Sequence, residues 1–169
     1  LAAVDGPLAQ LPTGWLLVDA ARRVWIEDVP LIEEELVEEG AFGVVWEHRF
    51  GRNIDGSPLV LAGKRSEHGV VAHAKARLVW RLDGRFTRFR ARLGIPDLLG
   101  REGDCIVRLA TEQGVLHEVA RLRGGDAPHR IDLDVSGAER LIWEIDFGQR
   151  YDIGDHVALA DAWFLRPAE

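Results

Sequence analysis

The feature that most limits what this chain can fold into is a set of segments in which apolar and polar residues alternate one for one. Between Ala76 and Leu82, the residues Leu78, Trp80 and Leu82 share one face. Between Arg88 and Ile95, the residues Phe89, Ala91, Leu93 and Ile95 face one way, and Arg88, Arg90 and Arg92 the other. Cys105, Val107 and Leu109 repeat the pattern. Ile131, Leu133 and Val135 do so against Arg130, Asp132 and Asp134. Leu141, Trp143, Ile145 and Phe147 oppose Glu144 and Asp146. Side chains alternate across a pleated strand, so each segment offers one apolar face and one wet face.

Turn residues punctuate these runs: Asp83-Gly84, Gly94 with Pro96, Gly103-Asp104, Gln113-Gly114, Gly124-Gly125-Asp126, Ser136-Gly137 and Gly148. Short strands with glycine-rich turns and no long helical period predict an all-β chain folded as an antiparallel sandwich or barrel. The beginning reads differently. Trp15–Asp19 and Arg23–Asp28 suggest a hairpin around Ala20-Ala21-Arg22, and Pro30–Glu39 (PLIEEELVEE) suits a helix, a strand or an acidic loop. Residues 1–41 are therefore set apart as an N-terminal extension, and residues 42–169 as the sandwich.

Composition narrows the function. The formal net charge is −7, which argues against a nucleic-acid surface, since that needs a basic face to displace counterions. No run of about 18 apolar residues exists to span a membrane as a helix. The single cysteine, Cys105, lies in the apolar run CIVRLA and reads as a buried, inert thiol. A positive case for catalysis is missing: there is no G-x-S-x-G elbow, phosphate-cradling loop or HExxH. His68 and His73 are close in sequence, but on a strand they point to opposite faces, so they do not suggest a zinc site.

Aromatic and planar polar residues near turns suit a sugar, whose C–H groups stack on an aromatic face and whose hydroxyls meet planar donors and acceptors. Trp46, His48, Arg52, Asn53 and Asp55 fall within Val44–Pro58, and Arg123, Asp126, Asp155 and His156 fall in later loops. Each has a plainer reading as a core or turn-capping residue. Trp80 and Trp143 sit on apolar faces and read as core. The row Arg88, Arg90, Arg92 reads as a basic strip or as a face paired with nearby acids.

The segment Gly69–Asp97 carries a resemblance. GVVAHA, ARLVWRLDGRFTRF and LGIPD resemble the NPCBM family, a carbohydrate-binding-module family whose pattern runs G-x-G-x-H-A, L-x-G-x-Y/F-x-x-F and G-I-D-D. LRGGDAPHRIDLDVSG and DIGDHVALADAWFLR resemble its later R-G-x-D, I-D-V-S-G and D-H-A-D-W-x-D-A elements. The likeness runs from about Phe42 to Arg166, and the sub-pattern is similar to that of large extracytoplasmic proteins of planctomycete-type bacteria. The chain departs from the pattern at Val71 (the second glycine), Pro96, and Ala158 and Leu159 (the aspartate and tryptophan of D-H-A-D-W).

The resemblance implies a galactose-binding-domain-like jelly roll with ligand loops at one end. It implies a non-catalytic module for a galactose-like glycan or polysaccharide, extracellular or periplasmic, accompanied by other domains of a larger parent protein. Trp46, His48, Arg52, Asn53, His73, Arg123, Asp155 and His156 are the expected ligand residues, with Asp97 a further contact. Modules of this kind carry a structural calcium, for which Asn53, Asp55 and Asp161 are the expected oxygen donors. The departures at Ala158 and Leu159 leave an alternative, a structural or protein-interaction module that has lost sugar binding.

Overall fold

The computed structural model describes residues 20–36, 45–149 and 153–168. Among these the chain is an antiparallel β-sandwich with no α-helix. The strands are β1 (Arg23–Trp25), β2 (Leu31–Leu36), β3 (Arg49–Phe50), β4 (Leu59–Leu61), β5 (Lys64–Ser66), β6 (Gly69–His73), β7 (Ala76–Arg81), β8 (Arg88–Gly94), β9 (Asp104–Thr111), β10 (Gly114–Arg123), β11 (His129–Asp134), β12 (Arg140–Phe147) and β13 (His156–Leu165). One sheet runs β11-β8-β13-β6-β3, with β1 also on β13; the other runs β10-β9-β12-β7-β2. The β4–β5 hairpin is separate.

The alternating segments become β7, β8, β9, β11 and β12, and their apolar faces meet between the sheets. Trp80 and Trp143 are fully buried there with ring centroids 6.4 Å apart, and Phe164 packs on Phe86 and Phe89 at 5.0 and 4.8 Å. Cys105 is buried in the same layer, and burial, with a contribution from Asp155, pushes its thiol far up. A thiol held protonated is a poor nucleophile, so this one is packing. The arginine row is a paired face: Arg88 and Arg90 share Asp132, Arg90 lies over the Trp163 ring, and Arg92 reaches Asp161.

Of the N-terminal region, residues 20–36 supply strands to both sheets. β1 pairs with the end of β13, Val24 opposite Phe164, and β2 pairs with β7, Glu34 opposite Leu78. Leu31–Leu36 is thus an edge strand, whose Glu33 is held by Arg77 and Arg140. The partner expected for Arg23–Asp28 in a hairpin, Trp15–Asp19, lies outside the described residues.

A second, smaller core sits on the outer face of the first sheet. Ile54, Leu59 and Leu61 fold over Val71, Ala158 and Ala160. β6 and most of β13 are therefore buried on both faces. Two glycines of the family-like motif sit at close approaches, Gly69 against β13 and Gly94 under the hairpin. A Cβ on Gly69 (φ +130°) would fall 2.2 Å from Leu159 O, and one on Gly94 would fall 2.8 Å from a Leu61 methyl. Neither position admits a side chain without displacing its neighbour. Asp97 ties the hairpin down, its two carboxylate oxygens accepting from Ala62 N and Gly63 N at 2.7 Å each.

Candidate functional site

At one end of the sandwich β6 ends in His73 and β13 begins with His156, opposite each other in register. Their rings stand edge to face with centroids 5.0 Å apart. β3 pairs with the other side of β6, Arg49 opposite Val71, so the extended segment before β3 carries Trp46 back beside the histidines. The Trp46 ring lies 6.1 Å from that of His73 and 6.0 Å from that of His156. Trp46 is 43% exposed, whereas His73 is buried. A large aromatic left this open, with two imidazoles behind it, is a small wet platform.

The backbone holds the trio. His73 Nδ1 donates to Ala74 O, which fixes that nitrogen as the protonated one because a carbonyl only accepts. Ala74 N donates to Asp155 O at 2.9 Å. Asp155 itself is fully buried, and its Oδ1 accepts from Asp104 N at 2.8 Å. The residue before His156 is thus an anchor rather than a ligand contact.

Burial, and then the neighbouring His73, push the His156 imidazole down to about 4. Asp55, whose charge opposes that shift, lies near enough to His156 for the two to feel one another. At neutral pH His156 is an uncharged ring offering one donor and one acceptor.

The other expected ligand residues go elsewhere. His48 Nδ1 pairs with Glu34 and its ring meets Phe50 edge-on. Arg52 is bridged to Pro58 and donates to Gly56 O at 3.3 Å. Asn53 is buried, and its Nδ2 donates to Ser57 Oγ and Pro58 O, folding the loop. Arg123 faces the buried Asp104, whose nearer partner is Arg121. Trp46, His73 and His156 are therefore the members that the fold brings together. Asp55, which the sequence groups with the sugar-suited residues of Val44–Pro58 and also with the expected metal donors, joins their electrostatics; loop closure through Ser57 holds its carboxylate.

Two of the three residues expected to hold calcium already have other partners. Asp161 Oδ2 accepts from Lys64 Nζ at 2.8 Å and Arg92 Nε at 3.0 Å, so its charge is already matched by two cations. Asp55 Oδ1 closes a turn by accepting from Ser57 N at 2.9 Å and Ser57 Oγ at 2.7 Å. Among the described residues no three His, Cys, Asp or Glu side chains gather in metal-binding geometry.

A two-sheet antiparallel sandwich is the architecture of the CBM51 carbohydrate-binding modules. The NPCBM/NEW2 domain model matches residues 22–165, and the chain belongs to that family. The match takes in β1 and β2 as well as the strands after them. Solved structures share the fold at low identity. CBM51-2, solved with the INT domains of Clostridium perfringens ZmpB, superposes with a TM-score of 0.75 at 18% identity, over 87% of this chain and 32% of that one. A CBM51 from Clostridium perfringens GH95, in complex with methyl-galactose, gives 0.73 at 15% identity over 84% and 99%. Tandem CBM51 modules of a family 98 glycoside hydrolase from Streptococcus pneumoniae give 0.70 at 13% identity over 88% and 48%. The chain spans about a third of the first of these structures. No curated protein is a detectable relative.

Proposed function

We propose that this chain is a non-catalytic module that binds a neutral, galactose-like sugar unit at the loop end, and that it does so as one domain of a larger extracellular or periplasmic protein. The observation that carries this is the convergence of the half-exposed Trp46 with His73 and His156. In this reading the Trp46 face takes the C–H side of a sugar ring, and the histidines and Asp55 meet its hydroxyls. An uncharged His156 suits a hydroxyl, which both donates and accepts. No nucleophile or acid pair is asked for, because binding alone requires neither bond making nor proton transfer.

The similar fold of modules solved with methyl-galactose and with GlcNAc supports the sugar class at the coarse level. Of the two departures from the family pattern, Leu159 packs in the main core, and Ala158 packs in the outer one, two residues along β13 from His156. Calorimetric titration of the folded protein with galactosides, GlcNAc and a panel of polysaccharides tests the reading. Saturable heats that vanish in Trp46→Ala are expected; clean silence across the panel overturns it and leaves the structural or protein-interaction module.

A further inference from the structure

A second concave site lies at the β3 edge of the first sheet. It is a groove of about 280 Å3 lined by Phe50, Gly51, Arg52, Pro58, Arg65 and Glu67, with the buried Ser66 behind. Its walls are locked together. Gly51 N donates to Gly69 O at 2.9 Å, and a Cβ on Gly51 (φ +64°) would fall 2.5 Å from Glu67 O. Only glycine lets the two segments approach so closely. The groove is thus preformed, and its volume suits about one sugar residue.

Its charge is opposite in sign to that of the protein as a whole. Acids outnumber Lys and Arg by 28 to 21, and several arginines elsewhere are engaged: Arg77, Arg88, Arg92, Arg108, Arg121 and Arg140 each reach a carboxylate. Arg52 and Arg65 reach none among the described residues. Arg52 has a single long bond to the neutral Gly56 O, and Arg65 stands exposed on β5. Glu67 lines the same groove without pairing with either arginine. Two unneutralised guanidiniums against one carboxylate leave a local positive charge on an acidic protein. Guanidinium is a planar fork matched to carboxylate and sulfate oxygens. Pro58 adds an apolar surface, and Phe50 lines the groove while its side chain packs against the main core.

We propose that this groove is a second carbohydrate subsite, selective for a sugar carrying a carboxylate or a sulfate ester, with Arg52 and Arg65 binding the anionic group and Pro58 meeting the ring. That the anion is carried on a sugar rests on the glycan-binding reading above. The site itself is independent of Trp46. It shares a chain segment with the loop-end site, since Trp46 and Asp55 flank Phe50 and Arg52 in sequence.

The test is a titration, by calorimetry or NMR, with two matched pairs: oligogalacturonate against its methyl ester, and a sulfated galactan oligosaccharide against its desulfated form. One acidic member, uronate or sulfate, is expected to bind at least about tenfold more tightly than its neutral counterpart, and to weaken as salt rises. Which pair shows the preference identifies the anion. Arg52→Gln and Arg65→Gln each reduce that preference by about tenfold, whereas Trp46→Ala leaves it in place. Equal affinity for charged and neutral members, or Arg→Gln variants that bind like the parent, overturns the proposal. So does competition by inorganic sulfate as strong as that by the sulfated sugar, which means that the groove takes a bare anion. Neutral sugars failing while acidic ones still bind sinks the loop-end reading alone; neutral sugars binding with no preference for charge sinks this one alone.

Discussion

His73 and His156 are register partners across β6 and β13, and they hold their rings edge to face 5.0 Å apart at the mouth of the sandwich. Two imidazoles so close and partly desolvated resist a second positive charge. Burial and His73 hold His156 near 4, below its ordinary 6.5. A histidine whose folded value is depressed favours folding while it is neutral. That contribution is complete above about 6.5 and is lost as pH falls from there towards 4, where the folded form begins to protonate. Urea unfolding between pH 7 and 4 is expected to show a decline from this group of at most about 3 kcal/mol. His156→Gln, which cannot titrate, flattens that part of the curve. A parent and variant with parallel pH profiles exclude the coupling.

Trp46 carries little of the fold and, in the proposed reading, most of the binding. Being 43% exposed and outside both apolar clusters, it contributes little packing. Trp46→Ala is expected to shift Tm by less than about 2 °C, in line with surface substitutions generally. Affinity for a neutral sugar falls by at least about tenfold, or ~1.4 kcal/mol. Differential scanning calorimetry and titration on one preparation check both. A large fall in Tm makes Trp46 a structural residue instead.

Asp155 behaves in the opposite way. Its carboxylate is fully buried, accepts from Asp104 N, and is also the partner of the Cys105 thiol. Its carbonyl holds Ala74 beside His73. Asp155→Ala removes an acceptor from buried donors and is expected to cost about 2–4 kcal/mol. Asp155→Asn, which keeps one carbonyl oxygen, costs less. Denaturant midpoints separate the two variants; equal losses show that the side-chain bond to Asp104 contributes nothing.

The sequence was legible where one sheet face is wet. Alternation in β7, β8, β9, β11 and β12 marks their inner faces, because arginines and acids occupy the outer ones. It failed on β6 and β13, which are covered on both sides by the core and by the β4–β5 hairpin, so that GVVAH and HVALADAWFL show no period. Leu31–Leu36 stayed ambiguous because an edge strand held by ion pairs buries too little to leave a pattern. Within the candidate site, Trp46, His73 and His156 were visible as residue types, but their meeting depends on pairing across β3, β6 and β13. Asn53 and Asp155 look identical in sequence to ligand residues, and only their backbone partners reveal them as braces, while Arg123 turns towards the Asp104 carboxylate.

Two departures from the family pattern are one structural fact. Val71 stands where the pattern has glycine and Ala158 where it has aspartate, and the two are register partners that pack together under Ile54, Leu59 and Leu61. A larger residue on one strand accompanies a smaller, uncharged one on the other, at a place that here is dry. Ala158→Asp alone puts a carboxylate into this apolar cluster and is expected to cost more than about 3 kcal/mol. Val71→Gly alone removes three carbons and leaves a cavity, at about 2–4 kcal/mol. In the double variant the space left by Val71 accommodates the carboxylate with its water. The combined loss should therefore fall short of the sum by at least about 1 kcal/mol. A double-mutant cycle from urea midpoints measures that coupling directly. Strict additivity refutes the pairing: Val71 and Ala158 then tolerate change independently, and the family's glycine and aspartate answer to some other need than each other.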